Sequence, residues 1–260
     1  MIPSAIARFA ALLLVCAFPL RAATQDAPPV AAASDLKFAL DEAIGLFHKE
    51  TGRTVRPVYG SSGNFMRQIQ QGAPFELFLS ADEHFVFELS RRGLTVDDGV
   101  LYATGRIVLF APNGSALRLE DGLEGLRRMI QEGSLRKFAI ANPEHAPYGR
   151  AARESLEHAR LWDALRPRLV LGENVSQAAQ FSASGSVDGG IFALSLAISP
   201  GVAKAGRHVL LPENSHAPLR QRMVLTKRAG DTARAFYAWM GAPAGRAVLQ
   251  RHGFALPGGG

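Results

Sequence analysis

Four turns in this sequence join a small-residue apex to the start of a helical pattern. They are Ala31-Ala32-Ala33-Ser34-Asp35-Leu36, Gly60-Ser61-Ser62-Gly63-Asn64, Ala146-Pro147-Tyr148-Gly149 and Gly172-Glu173-Asn174-Val175-Ser176. The first turn of a helix has amides without intrahelical acceptors, and its dipole favours negative charge there. Serine hydroxyls and a tyrosine hydroxyl add donors beside those amides. Taken singly, Ser34 is a helix cap, the Gly/Ser run a loop, Tyr148 a packing residue and the fourth turn another cap. Together they share a property: no lysine or arginine occupies an apex. Donors without formal charge suit a dehydrated, fully ionised oxyanion, which accepts hydrogen bonds and cannot give them. Asp35 is the exception, since an acceptor repels such an anion. Its carboxylate is expected to point away, leaving its amide to help.

Other chemistries find less support. No Gly-Lys-Ser/Thr follows the Gly/Ser turn, so it is not a nucleotide-phosphate loop, and it lacks the Gly-x-Ser-x-Gly of a nucleophile elbow. The seven histidines are irregularly spaced, with no His-x-x-x-His pair, which argues against direct metal ligation. A serine hydrolase remains the alternative from another class, with Ser34 or Ser62 as nucleophile and His145 and Glu144 behind it. The nearer alternative is a binding protein for sulfate, phosphate or a phosphonate.

These turns need a scaffold, and the sequence supplies one. Short apolar runs at Val30–Ala33, Thr54–Tyr59, Phe75–Leu79, Arg106–Phe110, Lys137–Ala141, Arg168–Leu171, Gly189–Phe192, Val209–Leu211 and Arg222–Thr226 read as strands. Helical spacing appears from Leu36 to Phe47, over Phe65–Gln71, Phe85–Arg92, Gly149–Arg160, Val175–Ser182, Asp231–Met240 and Ala244–His252. Strands alternating with helices predict α/β architecture with mostly parallel sheets. So many elements favour two lobes, and open α/β sheets bind ligands at the carboxyl ends of their strands. No internal repeat is visible in the sequence.

The chain has 260 residues, 47% of them hydrophobic and 20% charged, enough for one large domain or two smaller ones. Its first 25 residues place Arg8 before the apolar run from Phe9 to Phe18, followed by Ala22 and Ala23. That order is expected of a secretory signal, and the run is too short to span a bilayer. The sole cysteine, Cys16, lies inside it, so a cleaved chain carries no thiol chemistry. Losing Arg8 and Arg21 lowers the net charge from +6 to +4. That mild, scattered excess suits small anions and not nucleic acid.

The same turns resemble those of the periplasmic molybdate-binding proteins of ABC importers. The likeness continues through Gly72-Ala73-Pro74-Phe75-Glu76-Leu77-Phe78-Leu79-Ser80-Ala81-Asp82, Ala141-Asn142-Pro143-Glu144-His145-Ala146-Pro147-Tyr148-Gly149 and the closing Gly253-Phe254, in order from about residue 29 to 257. The resemblance implies a two-lobed type II periplasmic-binding fold with a ligand cleft between the lobes. Residues 26–108 plus 218–260 would form lobe 1, and 109–217 lobe 2, after a signal peptide over 1–25. It also implies a monomeric, non-enzymatic periplasmic protein that needs no cofactor and delivers molybdate or tungstate to a membrane permease with its ATPase. By that likeness Ser34 and Ser62 would each give hydroxyl and amide and Val175 its backbone amide, with the metal held only through its oxygens; at Tyr148 some members give only a backbone amide and others a tyrosine hydroxyl. Some members place a ligand tyrosine where this chain has Ala193, and Tyr148 would supply that hydroxyl instead.

Overall fold

A computed structural model describes residues 27–258. The expected signal peptide and Cys16 lie outside them. Among the described residues no helix is long and apolar enough to cross a membrane.

Among the described residues ten strands form two sheets of five. The first sheet holds β1 (Pro29–Ala33), β2 (Arg56–Gly60), β3 (Leu77–Ser80), β4 (Val100–Gly105) and β10 (Leu219–Leu225), in the order β2-β1-β3-β10-β4. The second holds β5 (Ile107–Pro112), β6 (Phe138–Ala141), β7 (Leu169–Gly172), β8 (Gly189–Ala193) and β9 (Gly206–Leu210), in the order β7-β6-β8-β5-β9. The chain passes between sheets at Arg106 and returns through 211–218, so β5 and β10 are the strands entered from the other lobe. The boundary expected after residue 108 therefore falls inside β5.

The sheets are mixed, which corrects the expectation of mostly parallel pairing. β1 pairs parallel with β2 and β3, and β6 with β7 and β8. β10 runs antiparallel to β3 and β4, and β5 to β8 and β9. A strand arriving from the opposite lobe needs no right-handed helical crossover and can enter in reverse.

β1 shows why these residues make a central strand. Val30, Ala31 and Ala32 are wholly buried, and their side chains alternate between two cores, as a period of two requires. One core gathers Leu40 and Phe47 of the helix Lys37–Thr51 with Phe236 and Trp239 of the helix Asp231–Gly241. The opposite face of the sheet packs Phe65, Phe78 and Val86 beneath the helices Ser62–Gln70 and Glu83–Arg91. Lobe 2 has its own core around Phe110, Phe138 and Phe192. A further helix, Leu123–Gln131, was not among the sequence expectations; it buries Leu126 and Met129 in that core.

Candidate functional site

Parallel strands align their carboxyl ends, and each lobe contributes two such ends to one place. Ser34 follows β1, the Ser61-Ser62 turn follows β2, the turn to Tyr148 follows β6, and Asn174-Val175 follows β7. Helices start at Ser62, Pro147 and Val175, and a short 3-10 turn from Ser34 runs into the helix Lys37–Thr51. The four ends meet around one small cavity, and Ser34, Asp35, Ser62, Tyr148 and Val175 all line it. No lysine, arginine or histidine is among its lining residues.

The five expected ligand residues thus line one cavity, whereas Glu144, His145 and Ala193 do not, and the roles of the five divide. Ser62 Oγ accepts from Ala81 N–H at 3.0 Å, which fixes the oxygen and leaves its proton to be given into the cavity. Ser34 Oγ accepts from Ser176 N–H at 3.2 Å and donates to Asn174 Oδ1 at 3.1 Å. Asn174 also caps its helix, accepting from Gln177 N–H at 3.1 Å. Tyr148 and Val175 sit in the first turns of their helices, where amides have no acceptor four residues back.

The Tyr148 hydroxyl is engaged within the protein. It donates to Asp35 Oδ2 at 2.9 Å and accepts from Gln221 Nε2 at 2.9 Å, so its one proton is already engaged. Gln221 Nε2 also reaches Asp35 Oδ2, at 2.7 Å, and Tyr102 donates to Gln221 Oε1 at 2.6 Å. Asp35 is only 1% exposed, and its second oxygen, Oδ1, has no partner. Burial away from any cation pushes its carboxyl up to about 6, against the lowering pull of the bonds from Gln221 and Tyr148. Burial, with the Asp35 charge beside it, holds the Tyr148 hydroxyl well above its ordinary value, so it remains a donor.

Gln221 was missed from sequence, although a signal exists. In β10 the inward phase runs Leu219, Gln221, Met223, Leu225, and a glutamine among those apolar residues marks a buried polar position. Ser195, whose Oγ donates to Asp35 O at 2.8 Å, carried no such mark.

The hydrolase alternative is not assembled. His145 Nδ1 lies 2.9 Å from Ser61 Oγ rather than from Ser34 or Ser62, and Glu144 is not its partner. The acid nearest its other nitrogen is Glu173, at 3.6 Å, beyond a hydrogen bond. Among the described residues no cluster of His, Cys, Asp and Glu could hold a metal ion directly.

Two lobes meeting over a small cavity of helix N-termini define a cleft-binding protein for a compact anionic solute. The chain belongs to the bacterial extracellular solute-binding protein family, whose sequence profile matches residues 29–255. It is 33% identical to the molybdate-binding protein ModA of Rhodobacter capsulatus over 247 residues, covering 94% of each chain. It is 31% identical to ModA of Azotobacter vinelandii over 230 residues, 87% of this chain and 89% of that one. The solved periplasmic molybdate-binding protein of Azotobacter vinelandii superposes with a TM-score of 0.80 at 33% identity, over 88% of this chain and 99% of that one.

Proposed function

We propose that the protein captures molybdate or tungstate in the extracytoplasmic space and delivers it to the permease of an ABC importer. One observation carries the reading: a small cavity without cationic side chains, edged by four helix starts, in a chain a third identical to molybdate-binding proteins along nearly its whole length. A tetrahedral dianion needs donors on all sides, and this arrangement provides them. Ser62 gives its hydroxyl and amide, and Ser34 its amide, with its hydroxyl once that turns from Asn174. Asp35, Tyr148 and Val175 give backbone amides.

Capture is binding, not turnover, so the protein has no catalytic residue. It acts as a monomer after export by the signal over residues 1–25, and its partner is the permease with its ATPase. The lobes close over the anion by bending at the two crossing segments.

A second reading rests on Asp35 Oδ1. A buried acceptor without a partner suits an oxyanion that still carries a proton, such as hydrogen phosphate. Melting temperatures of the purified protein with molybdate, tungstate, sulfate and phosphate separate the two. A tight ligand adds roughly 3–4 kcal/mol at 100–1,000 times its dissociation constant. Molybdate and tungstate are expected to raise the melting temperature strongly and the other two hardly at all; an equal shift with sulfate or phosphate would sink the assignment.

A further inference from the structure

Along one edge of the cavity the two lobes are sewn together at the first turn of the helix Ser62–Gln70. Gly63 N–H donates to His145 O at 3.0 Å, and Ser61 Oγ lies 2.9 Å from His145 Nδ1. One residue further, Asn64 Nδ2 donates to Glu173 Oε1. Ser61, Gly63 and Asn64 belong to lobe 1, and His145 and Glu173 to lobe 2.

Gly63 lets this seam close. A β-carbon at that position would lie 2.7 Å from His145 O, 3.1 Å from its Cα and 3.2 Å from its Cβ. The nearest of these is a backbone oxygen, which cannot swing aside as a flexible side chain can. Backbone conformation does not call for the glycine. It is not among the glycines with positive φ, and it stands inside a helix, where alanine is the better residue. All three nearest atoms belong to a single residue of the other lobe.

We propose that Gly63 is a positioning residue for solute capture: its missing side chain lets lobe 2 settle over the cavity, while lobe 1 folds without needing it. The proposal rests on the reading that the lobes close over a bound anion, and its test includes an arm without any anion. Gly63→Ala is expected to melt at the wild-type temperature or above when free of ligand, and to bind molybdate at least tenfold more weakly by calorimetry. The double variant Gly63→Ala with His145→Gly should stay weak, because the oxygen that obstructs the β-carbon is backbone. In the ligand-free arm, Asn64→Cys and Glu173→Cys are introduced together in a Cys16→Ser background, and the rate of disulfide formation across the seam is measured. Adding Gly63→Ala is expected to slow that rate at least tenfold. An unchanged rate overturns the proposal, as does a lower ligand-free melting temperature, which would make Gly63 a requirement of the fold. If no anion binds the wild type, the ligand assignment fails while the crosslinking rate still decides the role of Gly63.

Discussion

In lobe 1 the strands run β2-β1-β3-β10-β4, and in lobe 2 they run β7-β6-β8-β5-β9, so β1 matches β6 and β2 matches β7. The cavity is bounded by the turns after those four strands, an equivalent pair from each lobe. Their chemistry differs. Lobe 1 presents the hydroxyls of Ser34 and Ser62, each held by a backbone amide that donates to it, with the Ser34 proton resting on Asn174 Oδ1. Lobe 2 presents the helix starts at Tyr148 and Val175, and the Tyr148 hydroxyl, which lines the cavity, is bound to Asp35. A shared topology therefore fixes where donors stand, and the residue after each strand fixes what kind they are. Side-chain donors can be deleted by substitution, whereas backbone donors survive almost any change except proline.

The largest expected effect concerns Asp35, the one charge on lobe 1's side. Its carboxyl is pushed from 3.8 up to about 6, chiefly by burial. The folded protein then holds a proton that the unfolded chain has released, so stability falls as pH rises from about 4 through 6. A shift of about two units corresponds to roughly 3 kcal/mol, fully felt at pH 8. Asp35→Asn should melt well above wild type at pH 8 and lose that advantage near pH 4; parallel melting curves across this range would contradict the burial argument.

Ser62→Ala tests the side-chain half. It strips a donor from the anion and leaves Ala81 N–H buried without an acceptor, at about 1–3 kcal/mol. Calorimetry should show anion affinity lower by roughly 10- to 100-fold. Val175→Pro tests the backbone half. Proline is tolerated at the first helical position, and Asn174 is already extended, so the helix should persist without the amide. A loss like that of Ser62→Ala would make the two lobes equal contributors, and unchanged binding would remove Val175 from the site.

Smaller effects follow for Tyr148→Phe, which should cost about 1–3 kcal/mol in thermal unfolding through the lost bond to Asp35. Its anion affinity should stay within about threefold, because the amide remains. A loss of tenfold or more would return the hydroxyl to the anion. Smallest of all, Val175→Ala keeps the amide and should leave affinity within about twofold, with a packing loss of about 1 kcal/mol.

The turns were legible because their signals are local. Gly60-Ser61-Ser62 and Pro147-Tyr148 announce a strand end and a helix start within a few residues. β4 was not, because only Arg106 separates it from β5, and the single Gly105 before it is too slight a break to show that one chain stretch enters two sheets. The repeated strand order was equally hidden, since the lobes share a topology and no visible sequence period.

By itself the sequence determined the α/β class, the four donor-bearing turns and their lack of cationic residues, since all of these depend on neighbours along the chain. Tertiary structure alone decided that the four turns face one another, that β5 and β10 run backwards in their sheets, and that Gln221 reaches Asp35 across 186 positions. It also decided that Tyr148 gives its proton to a carboxylate. The reason is physical: a hydroxyl has one proton, and which acceptor takes it depends on which oxygen folding brings to 2.9 Å.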